Sequence, residues 1–369
     1  MMEVLAAAVG LLLFAVVLID AFETVILPRR VSGRFRLTRL FYLLTWTPWR
    51  ALARRVRDKK RREAFLSIFG PLSLLGLIGV WALGLILSFA LLRWASFADA
   101  SNARRPSFVS ELYISGITFP GIEEAPPSTH LARTLTFVEA ITGFGFLALV
   151  ISYLPVMYTS FSRREANITL LDARAGSPPS AAELLSRYGK DGNMEALPAL
   201  LQDWERWAAE VLESHISYPM LGFFRSQHDN QSWLGALTSI LDATALTVAA
   251  VDGVSKFQAQ MTFAMARHAV VDLAKVYNAA PCFPCADRLS PEEDEHLRQS
   301  LAEAGVRLRD DEPSRRKLAE MRRFYEPYVD GLSRRLLMDL PPWIQRDKTS
   351  HNWRTSKWER NVGTTADLH

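Results

Sequence analysis

The chain has 369 residues, 49% of them apolar, and a net charge of +4. That length accommodates two or three domains, and two cysteines exclude a disulfide framework. The overall charge identifies no partner, so the local placement of Lys and Arg carries the information.

Residues 1–28 hold the first of three long apolar runs. As a helix, residues 4–27 would measure about 36 Å, enough to cross a bilayer. The run has no basic leader, carries Asp20 and Glu23, and passes straight into Arg29 and Arg30 without a small-residue cleavage site. It therefore reads as a permanent span and not a cleavable signal. Asp20 and Glu23 sit three apart on one helical face near the cytoplasmic end, where neighbouring arginines are at hand as partners.

Residues 29–63 contain thirteen Lys and Arg opposed only by Asp58 and Glu63, interleaved with Leu40, Phe41, Leu43, Leu44, Trp46 and Trp49. This basic amphipathic pattern suits a helix at the headgroup level of an anionic leaflet. Nucleic acid is set aside as a partner because apolar runs flank the block closely on both sides. The second span is expected over residues 64–94, with Gly70-Pro71 near its start and Gly76, Gly79 and Gly84 available for close helix contact. The positive-inside rule puts the basic block in the cytoplasm, the N-terminus outside and everything after Arg163 inside. The expectation is a multi-pass protein of the plasma (inner) membrane whose first partner is the lipid bilayer.

Residues 64–161 form the expected pore domain. Residues 108–119 read as a short amphipathic helix, and Pro120, Gly121, Pro126 and Pro127 break the chain after it. A third span follows over residues 131–161. A short helix, an irregular loop at 108–127 and then a full span is the layout of a re-entrant loop, tolerated at membrane depth only where protein or water covers its open backbone groups. Glu139, inside the third span, is ionisable at membrane depth and is expected to face a partner rather than lipid.

After residue 161 the composition changes. Residues 162–179 read as a linker, and Ser180 with Glu183 as a capping box opening a helix. Helical periodicity recurs over 194–215, 232–250, 256–278, 291–304 and 313–338. Residues 180–346 are thus an all-α cytosolic domain with an unidentified ligand, and 347–369 a polar tail. The fold class expected is an all-α membrane protein: three transmembrane helices, a re-entrant pore helix and loop between the second and third, and an all-α cytosolic C-terminal domain. In that domain His268 and Asp272 lie one helical turn apart and His228-Asp229 sits in a polar stretch, too few groups for a metal or catalytic site. Cys282-Phe-Pro-Cys285 has the spacing of half a zinc knuckle without a second pair, and reads as reduced thiols.

Three segments resemble the tetrameric potassium-channel family in its bacterial form, with a pore loop between two spans. Leu112-Tyr-Ile-Ser-Gly-Ile-Thr118 is similar to a pore helix, Pro127-Ser-Thr-His-Leu-Ala-Arg133 to the outer turn feeding an inner helix, and Glu139-Ala-Ile-Thr-Gly-Phe-Gly145 to the middle of that inner helix. The resemblance implies a homotetramer, passive flow of a monovalent cation (potassium in the family) with no other cofactor, no enzymatic activity, and a gating hinge at Gly143 or Gly145. The chain departs from the family at the filter. Family filters present carbonyls from Thr-Val-Gly-Tyr-Gly, whereas this chain has Thr118-Phe-Pro-Gly-Ile-Glu-Glu-Ala-Pro-Pro127. Counting back from Pro127 keeps Gly121 as the first glycine and puts Glu123 at the second, with Glu124 as the outer acid. Thr118, Gly121, Glu123 and Glu124 are then the expected ion pathway, and carboxylate rings from a fourfold assembly would attract cations and respond to acid. Potassium selectivity does not follow from this filter. Two other functions compete: a non-conducting sensor or scaffold built on a pore domain, and a membrane-anchored enzyme near His268 and Asp272.

Overall fold

The computed structural model describes residues 1–25, 37–96, 106–122, 130–228 and 230–345. Glu123, Glu124, Asp229, the arginines from Arg29 to Arg36 and the tail at 347–369 lie outside the described residues. The chain divides into two compact units, Met1–Thr159 and Ser160–His369. Among the described residues regular structure is helical, apart from a bridge pairing Val251 with Leu308.

The first unit holds α1 (Met2–Val25), α2 (Leu37–Ala53), α3 (Lys59–Ser96), α4 (Phe108–Thr118) and the first part of α5 (His130–Ala175). Helices α1, α3 and α5 are each long and apolar enough to cross a membrane. Val17 and Ala21 of α1 pack with Leu77, Trp81 and Leu85 of α3, and Phe119 completes the core. Glycine permits the close approach of α1 to α3. A Cβ at Gly84 would lie 2.8 Å from Val17 Cγ2, and one at Gly10 would lie 3.0 Å from the Ser88 carbonyl oxygen. Gly76 faces the Phe41 ring of α2 in the same way, while Gly79 meets nothing within 4 Å. Leu12 and Ile19 on α1, Leu75 and Leu83 on α3, and Phe137 and Phe144 on α5 are more than half exposed, a surface suited to lipid or to another apolar face.

Helix α2 packs on α3 through Trp46 against Phe69, with ring centroids 4.8 Å apart, and Trp49 stacked on Phe65 at 4.4 Å. Its Leu43 and Leu44 are more than half exposed. Helix α3 starts five residues earlier than its apolar run. The Asp58 side chain accepts a 2.7 Å hydrogen bond from the Arg61 amide and so caps a first turn made of basic residues.

The second unit corrects the expected linker at 162–179, because α5 continues unbroken to Ala175. The polar Ser162-Arg163-Arg164 ends the apolar run but not the helix. Phe161, Arg164, Ile168, Leu171 and Ala175, spaced by three and four, are buried along one side. Gly176, at φ +78°, ends the helix. There follow α6 (Ala181–Lys190), α7 (Leu197–Ser217), α8 (Trp233–Ala249), α9 (Lys256–Val276), α10 (Pro291–Glu303), α11 (Glu312–Arg323) and α12 (Glu326–Leu336). Ser180 caps α6 by accepting from the Glu183 amide at 3.2 Å, but the Glu183 carboxylate bonds Arg187 and does not close a box. A complete capping box forms instead at Ser290 and Glu293. The expected helix at 313–338 is two helices, broken at Phe324-Tyr325 with Pro327 in the first turn of α12.

Helix α8 lies at the centre, every one of its residues buried. Its Asp242 is held by both Arg288 Nη atoms, at 3.1 and 2.7 Å, and by the Tyr325 hydroxyl at 2.5 Å, so the buried charge is paired and hydrogen-bonded.

His215 of α7 is fully enclosed. The Arg164 guanidinium, 3.2 Å from Nε2, can only donate, so Nε2 accepts and Nδ1 donates to the Val211 carbonyl at 2.7 Å. Burial, reinforced by the Arg164 charge, holds the His215 pKa well below its usual 6.5. The folded ring stays neutral, while the unfolded ring takes up a proton below about pH 6.5. This contribution to stability is therefore present above that pH and lost as pH falls, by about 1.4 kcal/mol per pH unit. Urea titrations of the full-length protein at pH 7, 6 and 5, followed by tryptophan fluorescence, should show this slope in the wild type and a flatter one in His215→Gln.

Candidate functional site

Arg93 is the sole charged residue between Leu66 and Ala95 of α3. A guanidinium there requires acidic partners, and two come from other helices. Helix α4 is started by Ser107, whose hydroxyl accepts from the Ser110 amide at 3.2 Å. This places Glu111 in the first turn, where its Oε2 meets Arg93 Nε at 3.0 Å. Glu139 of α5 brings Oε2 to 3.8 Å from Arg93 Nη1, and Arg93 Nη1 also donates to Thr136 Oγ1 at 2.7 Å. The side chains of Arg93, Glu111 and Glu139 are 4, 2 and 0% exposed.

Ser115, one turn beyond Glu111, joins the cluster. Its hydroxyl lies 2.8 Å from the Ile86 carbonyl of α3 and is hydrogen-bonded to Glu139 Oε1. Two carboxyl groups thus share one guanidinium, Glu139 also bonds Ser115, and the set ties the short α4 to α3 and α5. Chemically the cluster is a fastening, with one acidic group in formal excess, that joins α4 to α3 and α5.

Of the expected pathway residues, Thr118 and Gly121 are described, and both lie at the other end of α4. Thr118 is buried. Gly121 has φ +90°; its amide donates to the Thr118 carbonyl at 2.9 Å while the Ile122 amide donates to the Ile117 carbonyl at 3.0 Å. These paired bonds are a Schellman termination, so Gly121 stops a helix and the Ile117 and Thr118 carbonyls are engaged within the turn. Gly143 lies directly against this turn: a Cβ there would overlap the Phe119 carbonyl oxygen. Phe119 also packs on Phe146, with centroids 5.8 Å apart. Gly145 has nothing within 4 Å. Of the two candidate hinge glycines, Gly143 is a contact residue and Gly145 is open.

Asp20 is buried and accepts from the Trp81 indole at 2.9 Å, the Thr38 hydroxyl at 2.6 Å and the Thr38 amide at 3.1 Å. Among the described residues its partners are therefore Thr38 and Trp81, where arginines were expected. The carboxylate sits at the N-terminus of α2, which favours negative charge. Glu23 is half-buried on the same helix. His268 Nε2 is 3.8 Å from Asp272 Oδ2 on an open surface, with Lys275 Nζ 3.1 Å from Asp272 Oδ1; His228 is exposed.

The Sγ atoms of Cys282 and Cys285 and a carboxylate oxygen of Asp330 lie within 4.8 Å of one another. The neighbouring Asp330 carboxylate, with burial, pushes the Cys282 thiol up to about 11.

Ser115 falls in the pore-helix-like segment, whereas Arg93 and Glu111 belong to no motif, although an isolated arginine in an apolar run is itself a signal that acids must come from elsewhere in the fold. No protein-family model matches the chain, and neither a curated protein nor a solved structure is similar to it. The functional reading rests on these residues.

Proposed function

We propose that the first unit is the pore module of a homotetrameric, potassium-channel-like cation channel in the plasma (inner) membrane. In this reading α4 is the pore helix, the segment after it dips toward a shared axis, and α5 lines that axis. Glu123 and Glu124 contribute acidic rings at the outer mouth. The basic block and the second unit face the cytoplasm. The observation that carries the reading is the fastening of α4. At 11 residues, or about 16 Å, it is too short to cross a bilayer, yet a buried arginine and two buried carboxyl groups tie it to two long apolar helices. Tertiary bonds of that cost are expected where a half-depth helix must be held in place.

The test is reconstitution of the full-length protein in liposomes. Cation flux above that of empty vesicles is expected, absent for chloride and reduced on external acidification as the outer carboxylates take up protons. Cross-linking in detergent should stop at four copies. Equal chloride and potassium currents, or a monomer, would remove the channel reading.

A second reading, a non-conducting membrane sensor or scaffold, draws support from the termination of α4. Carbonyls that close a helix are not free to replace an ion's water. That reading predicts a tetramer without flux.

A further inference from the structure

The strongest unassigned chemistry lies in the second unit, on the stretch joining α9 to α10. Cys282 and Cys285 sit there, half-buried, facing Asp330 of α12. Three features fix this stretch on α12. The Arg335 Nε donates to the Tyr277 carbonyl at 3.1 Å, and the Cys282 amide donates to the Pro327 carbonyl at 3.0 Å. Between them, Gly331 lets the backbone come so near that a Cβ would overlap the Ala280 carbonyl oxygen. The two thiols and the carboxylate are thus brought together by two hydrogen bonds to backbone carbonyls and a close backbone approach at a glycine.

We infer that Cys282, Cys285 and Asp330 form a binding site for a thiophilic divalent cation of the zinc class. Two sulfurs bound to zinc at about 2.3 Å stand about 3.8 Å apart in a tetrahedron, and a carboxylate oxygen stands slightly closer to each. Ligand atoms within 4.8 Å of one another reach that geometry with side-chain rotation alone. Arg334 Nε lies 2.8 Å from Asp330 Oδ2 as an ion pair, yet that buried oxygen accepts no hydrogen bond, so the carboxylate keeps lone pairs to offer a cation. Both thiols bind as thiolates, so uptake of one cation releases two protons. Three protein ligands leave the fourth position to water or an exogenous group, the arrangement of an exchangeable site and not a closed structural one. Hard cations such as magnesium and calcium prefer all-oxygen sets and should not compete. The bound cation would clamp the α9–α10 connection to α12, whether or not the first unit conducts.

The probe is Co2+, added to reduced, chelator-stripped full-length protein in detergent. One equivalent per chain is expected to give sulfur-to-cobalt charge-transfer absorption, bleached by zinc and untouched by excess magnesium. Cys282→Ser and Cys285→Ser should each remove the band. Asp330→Ala should weaken zinc binding by roughly a hundredfold, the upper end of what loss of even a supporting group costs. Zinc should also protect both thiols of the wild-type protein from alkylation read by mass, an assay that needs no variant and covers the case of misfolded mutants. Absence of the band in fully reduced protein, or unchanged zinc affinity in a helical Asp330→Ala protein, would overturn the site. Thiols alkylated equally fast with and without zinc would do the same.

Discussion

Arg93→Met is expected to destabilise the first unit by about 3–5 kcal/mol, the cost of leaving buried acidic groups without their counter-charge. Glu111 and Glu139 are 2 and 0% exposed, so water cannot take over from the guanidinium. The unfolding midpoint in mixed micelles should fall sharply, and any flux should vanish with it. The triple variant Arg93→Met, Glu111→Gln, Glu139→Gln removes all three ionisable groups and should recover most of the loss, because an uncharged set of similar volume is often as stable as a buried ion pair. A single variant costing under about 1 kcal/mol, the range of an exposed pair, would mean that the three groups are hydrated and that α4 is held by packing alone.

Gly143→Ala is the second large effect. The added methyl group meets the Phe119 carbonyl, a backbone atom that no rotamer change can move aside. The end of α4 must shift bodily, at a cost of about 1–3 kcal/mol, and the turn bearing Gly121 moves with it. Any cation flux the protein carries should be lost. Gly145→Ala meets open space and should be neutral or gain up to about 1 kcal/mol from helix propensity. Thermal melts and liposome flux on the two variants separate the alternatives. If both glycines served only as a bend in α5, both substitutions would alter opening while leaving the melting temperature in place.

The readability of the chain follows from which forces act locally. The three long helices were legible because membrane crossing imposes a length and a hydropathy that a sequence displays directly. Residues 108–119 were legible as a helix because Pro120 and Gly121 punctuate its end, and the structure stops at Thr118. The run-on of α5 to Ala175 was not, because a change from lipid-suited to water-suited residues looks like a boundary even when the backbone continues. The break at Phe324-Tyr325 was concealed by continuous periodicity. It is set by Tyr325 turning inward to reach Asp242, a partner 83 residues away. At the site, Glu139 was legible as an acid at depth, but its partners were not. Arg93 and Glu111 find each other only once α3 and α4 lie side by side, and nothing in their spacing announces it. Gly143 and Gly145 looked equivalent in sequence. Only the position of Phe119 tells them apart.

The enclosure of α8 sets how the second unit can be probed. A helix with no solvent-facing residue cannot fray from its surroundings one turn at a time, so its amide hydrogens trade with deuterium only when the whole unit opens. Their exchange rate is a built-in gauge of that unit's total stability. A molecule that docks on any outer helix and tightens the unit slows these protons without touching them.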